Sequence, residues 1–172
     1  MEYMDMGDLR SYLANTFPEA FDSKAKLSCA RNIAEGLFYL HSQNLIHRDL
    51  KSRNILLDSV KGTKLADFGS SKEMLLFQGH SNAVDIFSFG VVLSELDTHA
   101  LPYADAVGDI DGREMSDETM ARRVIHEGLR PSFRDDCPNW YRRLAQQCMA
   151  ANPDERPSAT KIMYVLKEQY VL

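Results

Sequence analysis

Apolar residues fall along this chain in blocks whose spacing is mostly helical. In residues 18–43, Phe21, Leu27, Ile33, Leu37 and Leu40 recur at intervals of three, four and six. That predicts one long helix buried on more than one side. A short amphipathic helix is predicted before it, over 7–13, with Leu9 and Leu13 at i and i+4. Residues 82–96 carry Val84, Ile86, Phe87, Phe89, Val91, Val92, Leu93 and Leu96. A helix apolar nearly all round belongs in the middle of a core. Three more helices are predicted over 117–127, 138–149 and 158–168. Pro138 suits a first helical turn, and Ser158, after Pro157, suits an N-cap. Between the two long helices lie an irregular polar stretch, 44–54, and two strand-like pieces, 55–58 and 64–66. Gly62 marks the turn between those pieces, and the pair is expected to form a hairpin. The predicted fold is mainly α: a helical bundle around a buried helix (82–96) with one small β-hairpin (55–66).

Composition narrows the classes open to such a chain. Its 172 residues are enough for one ordinary domain and too few for two. The net charge of −5 argues against a nucleic-acid-binding surface, whose affinity comes from Lys and Arg neutralising phosphates. No apolar run reaches the roughly 20 residues of a membrane helix. Residues 1–10 carry Glu2, Asp5 and Asp8 and no basic n-region, so no signal peptide is expected. The three cysteines, Cys29, Cys137 and Cys148, are widely spaced and odd in number, which favours reduced, buried thiols in a cytoplasmic protein.

The candidate chemistry sits in the polar stretch. His47-Arg48-Asp49-Leu50-Lys51-Ser52-Arg53-Asn54 is followed, thirteen residues after Asn54, by Asp67-Phe68-Gly69. Asp49, Asn54 and Asp67 offer hard oxygen donors and a base, and Lys51 offers a compact cation. Such donors suit Mg²⁺, which keeps water and substrate phosphates in its shell. Together they suit metal-assisted phosphoryl transfer, whose catalysis is mostly positioning and charge neutralisation.

The two motifs, in this order and spacing, resemble the catalytic and metal-binding loops of eukaryotic protein kinases. Met1-Glu2-Tyr3-Met4 resembles the hinge between kinase lobes, 18–43 the helix before the catalytic loop, and 84–90 the start of the buried central helix. The resemblance covers essentially the whole chain, all of it as hinge plus C-terminal lobe. It is strongest to the tyrosine-kinase-like group of Ser/Thr kinases, through 81–96 and 151–158 and through Lys51 two residues after the base. It implies ATP and Mg²⁺ as cofactors and a protein substrate. Asp49 would accept or orient the substrate hydroxyl proton, and Lys51 would steady the transferred phosphoryl group. Asn54 and Asp67 would hold Mg²⁺. The backbone of residues 1–4, Glu2 and Met4 included, would contact adenine, Asp8 would reach the ribose, and Leu56 would floor the purine pocket. His47 would pack, Arg48 would clamp a phosphorylated loop, and Phe68 and Gly69 would complete the metal loop. Asp85 would tie the buried helix to the catalytic loop.

Two departures from the family pattern shape the expectation. The sequence opens at the hinge, without a Gly-rich loop or strand Lys, so the expected unit is a partial kinase domain over 1–172 with ATP binding weak or absent. Asp67 and Asp85 are only 18 residues apart, whereas kinases use roughly twice that for the activation segment. No Ala-Pro-Glu triplet appears. Glu73 is its candidate remnant, expected either to pair with Arg156 or to leave that cation solvated. The upper face, with Met1, Met4 and Phe68, is then expected to lose cover and to offer a surface to a protein substrate or a kinase-like partner. The expected location is intracellular, as a free chain or as part of a larger or membrane-anchored protein. The alternative readings are a non-catalytic kinase-like interaction module and a truncated gene product.

Overall fold

The structure, a computed structural model, describes residues 3–70, 72–73, 82–106 and 116–169. Six helices and five short strands follow one another in it. Helix α1 (Leu9–Ala14) opens on Asp8, whose carboxylate accepts from the Ser11 amide. The long predicted helix is α2 (Ser23–Ser42), shorter at its start than the apolar spacing implies. Residues 18–22 turn instead, because Asp22 is an effective N-cap: its carboxylate accepts from the Ala25 amide at 2.7 Å.

Strands β3 (Ile55–Asp58) and β4 (Gly62–Leu65) form the predicted hairpin. The turn is tighter than expected, since Asp58 Oδ1 accepts from the amides of Val60 and Lys61. Gly62, at φ 75°, then joins the ladder opposite Asp58. A third strand, β1 (Gly7–Asp8), pairs antiparallel with β3 and gives the sheet order β1-β3-β4. Two residues carry no period, so pattern alone could not show it. The stretch predicted as irregular holds β2 (Leu45–Ile46), which pairs with β5 (Lys72–Glu73), and a 3-10 turn at Ser52–Asn54.

Helix α3 (Ala83–Thr98) is the buried centre, ended by His99 in a left-handed conformation. Phe89, Val92, Leu93 and Leu96 are enclosed between α2 on one side and α5 (Asn139–Cys148) on the other. Helix α6 (Ala159–Glu168) packs along α2 and adds Ile162 and Leu166 to the same core. Ser158 caps α6 as predicted, its hydroxyl accepting from the Lys161 amide. Pro138 stands at the N-cap of α5 rather than within its first turn. Helix α4 (Asp117–His126) has no buried residue. The architecture is therefore the expected mainly helical bundle, with a three-stranded sheet in place of a bare hairpin.

The polar groups of α3 each find a partner. Ser52 Oγ donates to Glu95, Arg134 N to Asp97, and Tyr141 Oη to the Leu93 carbonyl. The three cysteines are free and buried, and burial pushes the thiols of Cys29, Cys137 and Cys148 up to about 11, 11 and 12. No helix among the described residues is long and apolar enough to cross a membrane.

Close approach of α3 and α5 requires Gly90. A Cβ there would stand 2.6 Å from Met149 Cγ and 2.9 Å from the Ala145 carbonyl oxygen. Gly90→Ala is expected to destabilise the chain by about 1–3 kcal/mol, because overpacking outweighs the gain in helix propensity. Urea unfolding measures it; a midpoint equal to or above that of the unsubstituted chain would refute the close-packed seam.

Candidate active site

The polar segment 47–54, the candidate catalytic loop, is held from below by one carboxylate. Asp85, 1% exposed on the first turn of α3, accepts from the amides of His47 (2.9 Å) and Arg48 (2.8 Å). His41 Nε2, from the last turn of α2, stands 2.9 Å from the same carboxylate. Burial alone would raise the Asp85 pKa, but these three partners together bring it below the ordinary carboxylate range. Arg48 adopts a left-handed backbone, φ 69°. Such a conformation is strained for a non-glycine residue and persists where surroundings impose it.

From that anchor the chain places its charged groups at the surface. Asp49 receives Lys51 Nζ at 2.8 and 3.0 Å and Asn54 Nδ2 at 3.0 Å. The Lys51 bond is the main reason its pKa falls. Asn54 Nδ2 also donates to the Asp49 carbonyl at 2.8 Å. This commits the amide nitrogen and leaves Oδ1 as the side chain's unused acceptor.

The second motif is stitched to the first at Ala66. The Ala66 amide donates to the Asn54 carbonyl at 2.9 Å, and the Ala66 carbonyl lies 3.0 Å from His47 Nε2. Since His47 Nδ1 faces the Asp49 amide, Nε2 is the nitrogen that carries the proton. His47 is fully buried, with the Phe68 ring 5.4 Å from its own. Asp67 follows directly, exposed and left-handed at φ 59°, its Oδ1 facing the Gly69 amide.

Beside Asp67 opens a cavity of about 260 Å³ lined by Met4, Leu56, Lys64, Leu65, Ala66, Asp67 and Phe68. It has an apolar floor and one carboxylate at its edge. Met4 is only 8% exposed, so it keeps its cover, contrary to expectation; Phe68, at 49%, does not. Asp8 lies at the start of α1, both carboxylate oxygens engaged by Ser11. Met1 and Glu2 lie outside the described residues.

Arg156 departs from both expected states. It is neither dependent on an ion pair nor simply solvated: it donates to the carbonyls of Ala150 and Ala83 and lies over the Phe87 ring. Glu73 is described only through its backbone, opposite Leu45.

Pattern reading overlooked two further contacts. His41 falls on the stripe of Ile33, Leu37 and Leu40, at helical spacing, so a buried polar partner was implied. Ser52 Oγ, within the polar segment 47–54, donates to Glu95 at 2.6 Å. A carboxylate inside an apolar helix needs such a donor, and burial raises the Glu95 pKa despite it.

The family model described as protein tyrosine and serine/threonine kinase matches residues 1–78 and 70–166. The chain belongs to that protein kinase family. Among similar proteins, the serine/threonine/tyrosine-protein kinase HT1 of Arabidopsis thaliana is 34% identical over 187 residues, covering 97% of this chain and 46% of that protein. The dual specificity protein kinase pyk3 of Dictyostelium discoideum is 33% identical, covering 79% of the chain and 11% of its own length. Cyclic GMP-binding protein C of the same organism is 33% identical, covering 96% and 7%. The chain thus spans under half the length of these relatives.

Replacing Asp85 tests the anchor. Asp85→Ala leaves two buried amides without an acceptor and is expected to cost about 3 kcal/mol or more, with Asp85→Asn milder, since it keeps one oxygen. Because the folded-state pKa is depressed, the stability Asp85 contributes is fully present above the ordinary carboxylate value, near about 4, and is lost as pH falls through the lower folded value. Asp85→Asn should therefore flatten the acid limb of stability against pH; an unchanged limb would show that Asp85 is not the titrating support.

Proposed function

We propose that this chain is the hinge and C-terminal lobe of a Ser/Thr-type protein kinase domain of the tyrosine-kinase-like group. In the complete domain it would transfer the γ-phosphoryl group of ATP to a protein hydroxyl. The observation that carries the reading is the convergence of Lys51 and Asn54 on the Asp49 carboxylate, one hydrogen bond away from the strand end that bears Asp67 and its cavity.

The residues suit the cofactor chemically. Asn54 Oδ1 and the Asp67 carboxylate are hard oxygen donors. Among the described residues no cluster of three or more His, Cys, Asp or Glu could hold a metal by itself. Two protein oxygens fit an ion that arrives with phosphates and water. Mg²⁺ supplies charge neutralisation on the phosphates when bound. Asp49, oriented by Lys51 and Asn54, would orient the substrate hydroxyl and take its proton. Lys51, released from Asp49, would steady the transferred phosphoryl group. Met4 and Leu56 would hold the purine and Asp8 would reach the ribose; the family pattern assigns Glu2 to the adenine contact. His47, Phe68 and Gly69 hold the two loops in register. Arg48 is the cation for a phosphorylated segment.

The activation segment is read as shortened near 70–80. Two observations support this: the two family matches overlap at 70–78, and alignments of 187 and 193 residues exceed the 172 of this chain. A shortened segment leaves little platform for substrate. A cavity of this size with one apolar wall also buries too little of a nucleotide. On this reading the isolated chain is expected to show no kinase activity, and its exposed Phe68 edge favours the second reading, an interaction module that docks a protein partner.

Titration with ATP·Mg²⁺ decides between tight and weak binding. Methyl resonances of Met4 and Leu56 should shift only at millimolar nucleotide, about −4 kcal/mol, and the shift should weaken in Asp67→Ala. Low-micromolar affinity abolished by Asp67→Ala would overturn the claim of weakness; no shift at either methyl would overturn the nucleotide site. Incubation with labelled ATP should give no autophosphorylation. Phosphoserine or phosphothreonine that disappears in Asp49→Asn would show that the lobe is active unaided.

A further inference from the structure

Phe87, on α3, has two guanidinium groups against its ring. Arg130 stands 5.2 Å and Arg156 5.0 Å from the ring centroid. Both arginines are half-buried. Arg130 donates to the carbonyls of Met149, Val124 and Leu129, and Arg156 to those of Ala150 and Ala83. Carbonyls orient a guanidinium but bring no net charge. Among the described residues neither arginine has an ion pair. Burial, and then the charge of Arg130, accordingly pull the Arg156 pKa down. Two like charges thus share a partly dry site without an anion.

Arg156 also lines an open cavity of about 540 Å³ between the last turns of α2 and the first turns of α3 and α6. Ala83 and Thr160 on its wall belong to the opening turns of helices of 16 and 10 residues, whose positive dipole ends therefore meet there. Asn82, the N-cap residue of α3, makes no capping bond, and its Oδ1 is buried without a partner. Read with the amide turned over, it presents a donor at the same place. Phe38, 43% exposed, and Ile86 supply an apolar wall. Asp154, at the exposed rim, makes no ion pair with Arg156.

The space greatly exceeds the roughly 30 Å³ share of a water molecule, so a bare small anion would not fill it. A carboxylate matches the planar guanidinium bidentately, and an apolar neighbour matches Phe38. We infer that this cavity is a docking site for an acidic segment of a partner protein, a carboxylate flanked by apolar side chains, with Arg156 as its charged anchor. The site is separate from the Asp49 cleft and does not depend on kinase activity.

The probe is the peptide acetyl-Leu-Ala-Glu-Ala-Leu-amide, titrated into the isotopically labelled full chain and compared with the peptide that has Gln for Glu. Saturable amide shifts confined to 82–86 and 156–161 are expected, with the Gln peptide weaker by about tenfold and both shifts and affinity reduced at about 0.5 M salt. Thr160→Trp, at an exposed position of the wall, should block binding while leaving the circular dichroism unchanged. Arg156→Lys keeps the charge but loses the planar fork and should weaken binding about tenfold. Should Arg156→Lys fail to fold, the peptide pair and Thr160→Trp still decide. Absence of binding up to millimolar peptide, equal affinity for the two peptides, shifts elsewhere, or indifference to Thr160→Trp would each overturn the site.

Discussion

The carboxylate of Asp85 is the point on which the candidate site rests. It is almost fully removed from solvent, yet its partners arrive from two separate parts of the chain: His41 from α2, the His47 and Arg48 amides from the loop. A buried charge is tolerated only when such donors surround it. The arrangement therefore constrains both directions. The core cannot accept Asp85 without the loop, and the loop cannot hold the left-handed Arg48 without Asp85. Asp49 directly follows a backbone amide fixed to the central helix, so its position follows from the core rather than from loop chemistry.

Rigidity is passed on by short backbone links. Ala66 connects the two motif loops through one donor and one acceptor, and Asn54 is held by the Asp49 carbonyl. Ser52 adds a tie to Glu95, deeper in α3. The surface pair Lys51–Asp49 contributes little to stability, as exposed ion pairs do. Its clearer effect is to orient the Asp49 carboxylate and lower its pKa. The stable part of the candidate site is thus uncharged backbone on a buried carboxylate, and the more exposed Lys51–Asp49 pair rests on it.

The sequence made the helices legible because their burial is periodic: Ile33, Leu37 and Leu40 on α2, and the all-round apolar α3, need no tertiary knowledge to be seen. Asp49, Asn54 and Asp67 were legible because their order and spacing form a motif. What escaped was set by contacts between distant segments. Strand β1 is two residues long and exists only because Leu56 and Leu57 lie opposite it. The start of α2 was moved by a single capping carboxylate. The carbonyl partners of Arg156 lie 6 and 73 residues away in sequence, beyond any local pattern. His41 and Glu95 are intermediate cases, visible as polar residues on apolar faces but silent about which group they meet.

The three deep thiols carry a consequence of their own. A thiol whose pKa is pushed to about 11 or 12 holds almost no thiolate at neutral pH, and thiolate is the form that alkylates or oxidises. Cys29 lies on α2, Cys137 just before α5 and Cys148 at its end, so together they sample both seams around the central helix. Their labelling by a maleimide then proceeds only through excursions that part those seams, and the rate at each sulfur becomes a clock for how often the lobe breathes.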